Sequence, residues 1–110
     1  MTAQHRELAA GRWRTLSFLE QMANIGSEVS RCFAWQRKGK PDYSTRAFHR
    51  ALELLDLTVA DPRNVNRLRE LLRVREALAD HIAFDNEYHT SEESWQKYFL
   101  GFAHGARLQR

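Results

Sequence analysis

A chain of 110 residues, 43% apolar and 11% aromatic, has enough apolar material for one hydrophobic core and too little length for two. The absence of any apolar run of about 18 residues excludes a membrane-spanning helix, and a single cysteine, Cys32, excludes a disulfide framework and a cysteine-based zinc site. The net charge of +3 hides an asymmetry: residues 1–75 carry 14 Lys/Arg against 8 Asp/Glu, and residues 76–110 carry 3 against 6.

The first twelve residues, MTAQHRELAAGR, show no periodicity and no apolar signal-peptide core, so residues 1–12 read as a flexible arm ahead of one domain over 13–110. Ser17 with Glu20 three residues on has capping-box spacing and opens the first helix. Phe18, Met22, Ile25, Val29 and Cys32 then step by four, three, four and three, widened by Leu19, Gly26 and Phe33. Arg37, Lys38, Gly39, Lys40 and Pro41 end that helix, with cations at its negative pole.

A second helix is expected after Asp42 or Ser44, with Phe48, Ala51, Leu52, Leu55 and Val59 inward and Leu54 and Leu57 on the flanks. Asp61 and Pro62 read as N-cap and first residue of a third helix, with Val65, Leu68, Leu71, Leu72, Leu78 and Ile82 on its inner face. Asp85-Asn86 marks the exit turn. Thr90 and Glu93 form a second capping-box spacing, opening a fourth helix with Trp95, Tyr98, Phe99, Phe102 and Ala106 along one side. Gly101 and Gly105, one turn apart on it, predict a close helix approach. Four amphipathic helices on short loops predict an all-α fold, an antiparallel up-down four-helix bundle.

The densest basic feature is Arg63, Arg67, Arg69, Arg73 and Arg75, arranged in rows one turn apart on the third helix. Arginine forks match phosphate, and like charges at this spacing destabilise a helix unless something neutralises them. With Arg31, Arg37, Lys38 and Lys40 of the first helix, Arg63, Arg67, Arg69 and Arg73 form a candidate nucleic-acid-binding face for RNA or DNA. The bland alternative is a solvated face balanced by Glu70 and Glu76. From Glu76 to Gln96 there are six acids and no Lys or Arg, so a second copy of the chain, or an acidic protein partner, is an equally direct neutraliser. Homo-oligomerisation is expected on that ground. Trp13, Trp35 and Tyr88 fall off or at the edge of the apolar stripes, where they read as base-stacking residues, as fillers of a subunit interface or as lids over the core. Cys32 on the seam reads as an inert buried thiol, which suits a reducing cytoplasm. Asn24 and Ser27 mark either a polar helix contact or the outer face.

Catalytic signatures are scarce. The chain has no glycine-rich phosphate loop, no nucleophile elbow, no His-Glu-x-x-His and no Glu-x-x-His pair. His81, Asp85, Glu87 and His89 gather metal-capable types at a spacing that matches no defined site, so neither a metal nor a cofactor is expected. Arg75 and His81, five residues between them, resemble the Arg-x(4–6)-His motif of HEPN-domain ribonucleases. That resemblance implies a metal-independent attack on an RNA phosphodiester by Arg75 and His81, typically across a dimer interface, although Glu76 stands where that family usually has a neutral polar residue, Asp or His.

The strings LEQMANIGSEV (19–29), RALELLDLT (50–58) and DNEY…ESWQKYF (85–99) resemble a family of short bacterial helical proteins, a resemblance that implies no activity. In length, helix count and charge the chain also resembles the basic four-helix-bundle accessory proteins of retroelements and of 23S rRNA intervening sequences. That likeness implies a homo-oligomer able to bind nucleic acid. The leading expectation is therefore a non-enzymatic accessory protein that binds RNA or DNA through arginines. A protein–protein adaptor and a HEPN-like ribonuclease stand as alternatives.

Overall fold

A computed structural model describes residues 11–109, all helix and connecting turn with no strand among them. Four α-helices span Phe18–Arg37 (α1), Pro41–Ala60 (α2), Leu68–Ala83 (α3) and Glu92–Leu108 (α4), and a 3₁₀ segment, Pro62–Arg67, leads into α3. Most of the arm expected at 1–12 lies outside the described residues; residues 11–13 are helical.

The start of α1 follows the sequence signal. Ser17 Oγ accepts from the Glu20 amide at 3.1 Å, and Glu20 Oε1 accepts from the Ser17 amide at 3.1 Å, which satisfies two orphan donors reciprocally. Met22, Ile25, Val29, Cys32 and Phe33 are buried, and each full burial of a large aliphatic is worth about 1.5–3 kcal/mol. At the other end Gly39 takes φ +70°, a conformation that only glycine adopts without strain, and turns the chain into α2. Pro41 proves to be the first residue of α2 and not the stop after α1. Its fixed φ and missing N–H suit that position, so the helix starts earlier than Asp42.

Two ends of α1 are tied to two ends of its neighbours. Gln21 near its start bonds Asp61 at the end of α2, and Cys32 near its end meets Ser44 near the start of α2. Against α4, Ser17 bonds Gln109 at one end and Arg37 pairs with Glu92 at the other. The α1–α2 and α1–α4 pairs are thus antiparallel, and α3 packs on α2.

Three expectations need correction here. The third helix is not continuous from Pro62: Asp61 caps it, accepting from the Arg63 amide at 3.0 Å, but the first turns are 3₁₀. Its inner face is Leu71, Val74, Ala77 and Leu78, whereas Val65 (61% exposed) and Leu72 (52%) face outward. A 3₁₀ lead-in rotates side chains by about 120° per residue instead of about 100°, which shifts the register of Val65 against the α-helix that follows. Finally, α4 is capped by Ser91, whose Oγ accepts from the Ser94 amide at 3.0 Å. Thr90 is used otherwise, as described below.

A polar knot closes the bottom of the fold. Trp13, expected at the edge, is buried and donates from Nε1 to Thr58 Oγ1 at 2.9 Å. Gln21 Nε2 donates to the Trp13 carbonyl and to Asp61 Oδ2, both at 3.0 Å. Asn64 Nδ2 donates to Gln21 Oε1 and to the Thr58 carbonyl, both at 2.9 Å. Among the described residues no buried side-chain polar atom lacks a partner, so hydrogen bonds offset the desolvation of this network.

Candidate functional site

The basic residues named from the sequence separate into spent and available charges. Arg63 is spent: its guanidinium grips Asp61 at 2.6 Å and donates to the Leu16 carbonyl at 2.8 Å. That pairing holds the Asp61 carboxyl far below the usual carboxylate range. Arg31 pairs with Glu28 at 2.8 Å, Arg37 with Glu92, and Arg75 with Asp56 at 2.7 Å. Arg67 lies 4.2 Å over the Phe18 ring and 3.8 Å from Glu70. Lys38 sits over Trp35, whose ring stacks on Tyr43 with centroids 4.7 Å apart. Trp35 therefore belongs to a surface stack at the α1–α2 corner, beside Lys40.

Arg69 and Arg73 differ from the other α3 arginines. Both are exposed, one turn apart, and form no ion pair among the described residues. They stand on one wall of a groove of about 630 Å³ between α3 and α4, with Asn66, Val74 and Ala77. Tyr88, Trp95 and Tyr98 make the opposite wall, with Thr90 and Ser94. Glu70 also lines the groove, but its carboxylate accepts from the Tyr98 hydroxyl at 2.9 Å. Burial, then this bond, pushes the Tyr98 phenol above its ordinary value, so it stays a donor.

The loop between α3 and α4 is built to hold Tyr88 in place. Asp80 near the end of α3 accepts from the amides of Glu87 and Tyr88, each at 3.0 Å, and its carbonyl accepts from the Asn86 amide at 3.1 Å. Asn86 takes φ 53°, where Asn is among the better-tolerated residues, and its amide bonds the Thr90 carbonyl at 2.8 Å. Thr90 Oγ1 then accepts from Trp95 Nε1 at 3.0 Å and meets His81 Nδ1 at 2.8 Å. Tyr88 itself stays half exposed on this rigid support, and a hydrogen bond to Glu76 raises its phenol above the ordinary value.

His81 lies edge-on to Phe33 with ring centroids 5.6 Å apart and is tied to Thr90. Six residues along a helix place side chains about 120° apart around the axis, and Arg75 accordingly faces Asp56 on α2 while His81 faces α1 and the loop. The structure does not bring Arg75 and His81 together. Nor do His81, Asp85, Glu87 and His89 assemble: no group of three or more metal-capable side chains occurs among the described residues. Cys32 is buried against Ser44, and desolvation raises its thiol, which leaves it unreactive. No helix among the described residues is long and apolar enough to cross a membrane.

Sequence reasoning located the arginines but not the groove. Of its aromatic wall, Trp95 and Tyr98 were read as core and Tyr88 as a stacking residue or lid, and nothing local marks Arg69 and Arg73 apart from Arg63, Arg67 and Arg75. Compared with family models, with curated proteins and with solved structures, the chain matches none.

Proposed function

We propose that this chain is an antiparallel up-down four-helix bundle that works without catalysis, as a cytoplasmic homo-oligomeric accessory protein binding RNA or DNA through the arginines of α3. The observation that carries the reading is the pair Arg69 and Arg73. They are exposed, form no ion pair among the described residues, and lie one turn apart on the rim of a groove with an aromatic wall. Two guanidinium forks at that spacing hold consecutive phosphates by charge-assisted, bidentate bonds. The remaining α3 arginines belong to the protein's own ion pairs, so the nucleic-acid face is narrower than the arginine count suggests.

The test is a binding titration of labelled RNA and DNA across a salt series with Arg69→Ala/Arg73→Ala. The double variant is expected to keep its fold and lose affinity. Its slope of log affinity against log salt should shrink by about 1.4 on single strands, from about 0.7 per phosphate contact. An unchanged slope would refute the assignment. Phe84 (74% exposed) and Leu72 (52%), beside Asp85 and Glu87, favour a second reading, an adaptor that docks a protein partner. That reading gains if wild-type protein binds neither nucleic acid.

A further inference from the structure

The α3–α4 groove has features that a backbone-tracking surface does not need. A phosphate contact requires only cations on an open face, and duplex nucleic acid would meet Arg69 and Arg73 from outside. Here the cations instead overlook a recess whose far wall is aromatic and whose lining carries uncommitted hydrogen-bonding groups. Asn66 has no hydrogen-bond partner among the described residues, and its amide offers both a donor and an acceptor toward the recess. The one carboxylate in the lining, Glu70, is pinned by Tyr98 and faced by Arg67, which limits its repulsion of an anion.

Tyr88 is the decisive residue. Trp95 is buried and its indole N–H is committed to Thr90, and Tyr98 is committed to Glu70. The Tyr88 hydroxyl is likewise bonded to Glu76, yet Tyr88 alone of the three combines an exposed ring with a fixed backbone, held by Asp80 and the Asn86–Thr90 bonds. A ring presented this way stacks without losing much conformational freedom on binding, the condition under which an aromatic contributes most. The recess of about 630 Å³ has room for a base that has left its stack.

We infer that the groove is a single-strand site: one unpaired base stacks on Tyr88 within reach of Asn66, while Arg69 and Arg73 hold the phosphates on either side of it. The inference rests on the nucleic-acid reading of Arg69 and Arg73 and adds what that reading leaves open, namely strandedness and the residue that sets it. Paired bases cannot reach Tyr88, so duplexes gain only the arginine contacts.

The experiment is a fluorescence-anisotropy titration of the full chain with a short labelled RNA strand, and with the same strand annealed to its complement, at one low salt concentration. The variants are Tyr88→Phe, Tyr88→Leu, Tyr88→Ala and Arg69→Ala/Arg73→Ala. Wild type and Tyr88→Phe are expected to prefer the single strand. Tyr88→Ala and Tyr88→Leu should each lose about 5- to 150-fold in single-strand affinity, the range of one base–aromatic stack, with duplex affinity unchanged. The leucine variant keeps apolar bulk on the loop, so a shared loss reports stacking and not collapse of the wall. Equal affinity of wild type for both forms, or a single-strand affinity indifferent to Tyr88→Leu, overturns the inference. If the arginine variant still weakens both forms in that case, the phosphate reading survives alone. Failure of wild type to bind either form removes both.

Discussion

Gly26 and Gly101 make a paired test of how α1 meets α4. A Cβ added at Gly26 would stand 2.5 Å from Phe99 Cβ and 2.9 Å from its Cγ. Carbon–carbon contacts are comfortable at about 3.5–4.0 Å, so the two helices would have to part by about 1 Å. No rotamer relieves this, because a Cβ moves only with its backbone. Overpacking of this kind costs about 1–3 kcal/mol or more, against about 1 kcal/mol that alanine recovers over glycine in a helix. Gly26→Ala should therefore be destabilised by up to about 2 kcal/mol net, and each kcal/mol lowers Tm by about 4–8 °C in a domain of this size. At Gly101 nothing lies within 4 Å of the added Cβ, so Gly101→Ala should gain about 0.5–1 kcal/mol from propensity alone. Urea and thermal unfolding followed by circular dichroism, with m-values compared, measure both. A Gly26→Ala variant as stable as wild type would refute the close crossing of α1 and α4 at Phe99.

Asp61 links stability to acid pH. Its folded-state carboxyl is held far below its ordinary value, chiefly by Arg63, so below that value the unfolded chain binds the extra proton and stability falls. Its contribution is complete above about pH 5 and is lost as pH drops through and below the ordinary carboxylate range near 4; Asp61→Asn should flatten that part of the pH–stability curve, and an unaltered curve would count against the pairing. Thr90→Val should cost about 1–3 kcal/mol in urea unfolding, because it strands the Trp95 indole N–H, which has no other bond to replace Thr90 Oγ1; a neutral effect would show that the indole reaches water.

Whatever depends on neighbours in the chain was legible in the sequence. The helical class, the capping box of Ser17 and Glu20, the cap at Asp61 and the apolar stripe of α1 all rest on spacings of a few residues. Local competition already blurred one boundary: Thr90 and Ser91 are both good caps, and only the bonds with Trp95 and His81 remove Thr90 from the choice. Gly26, whose lack of a side chain sets how closely α1 meets α4, looked like part of a stripe, while Gly101 looked like a contact and faces open space. Trp13 became core through Thr58, forty-five residues away in the chain.

Charge was the least legible property. Five arginines on one stretch look alike in sequence, yet Asp56, Asp61 and Glu70 claim Arg75, Arg63 and Arg67 and leave Arg69 and Arg73. Composition and periodicity determine that there will be helices with apolar and basic faces, since those follow from side-chain spacing along one segment. Which cations remain free, and that an aromatic wall stands opposite them, depends on how α2, α3 and α4 are set against one another. Coulombic pairing acts over a few ångströms of space irrespective of separation along the chain, and only the tertiary structure decides it.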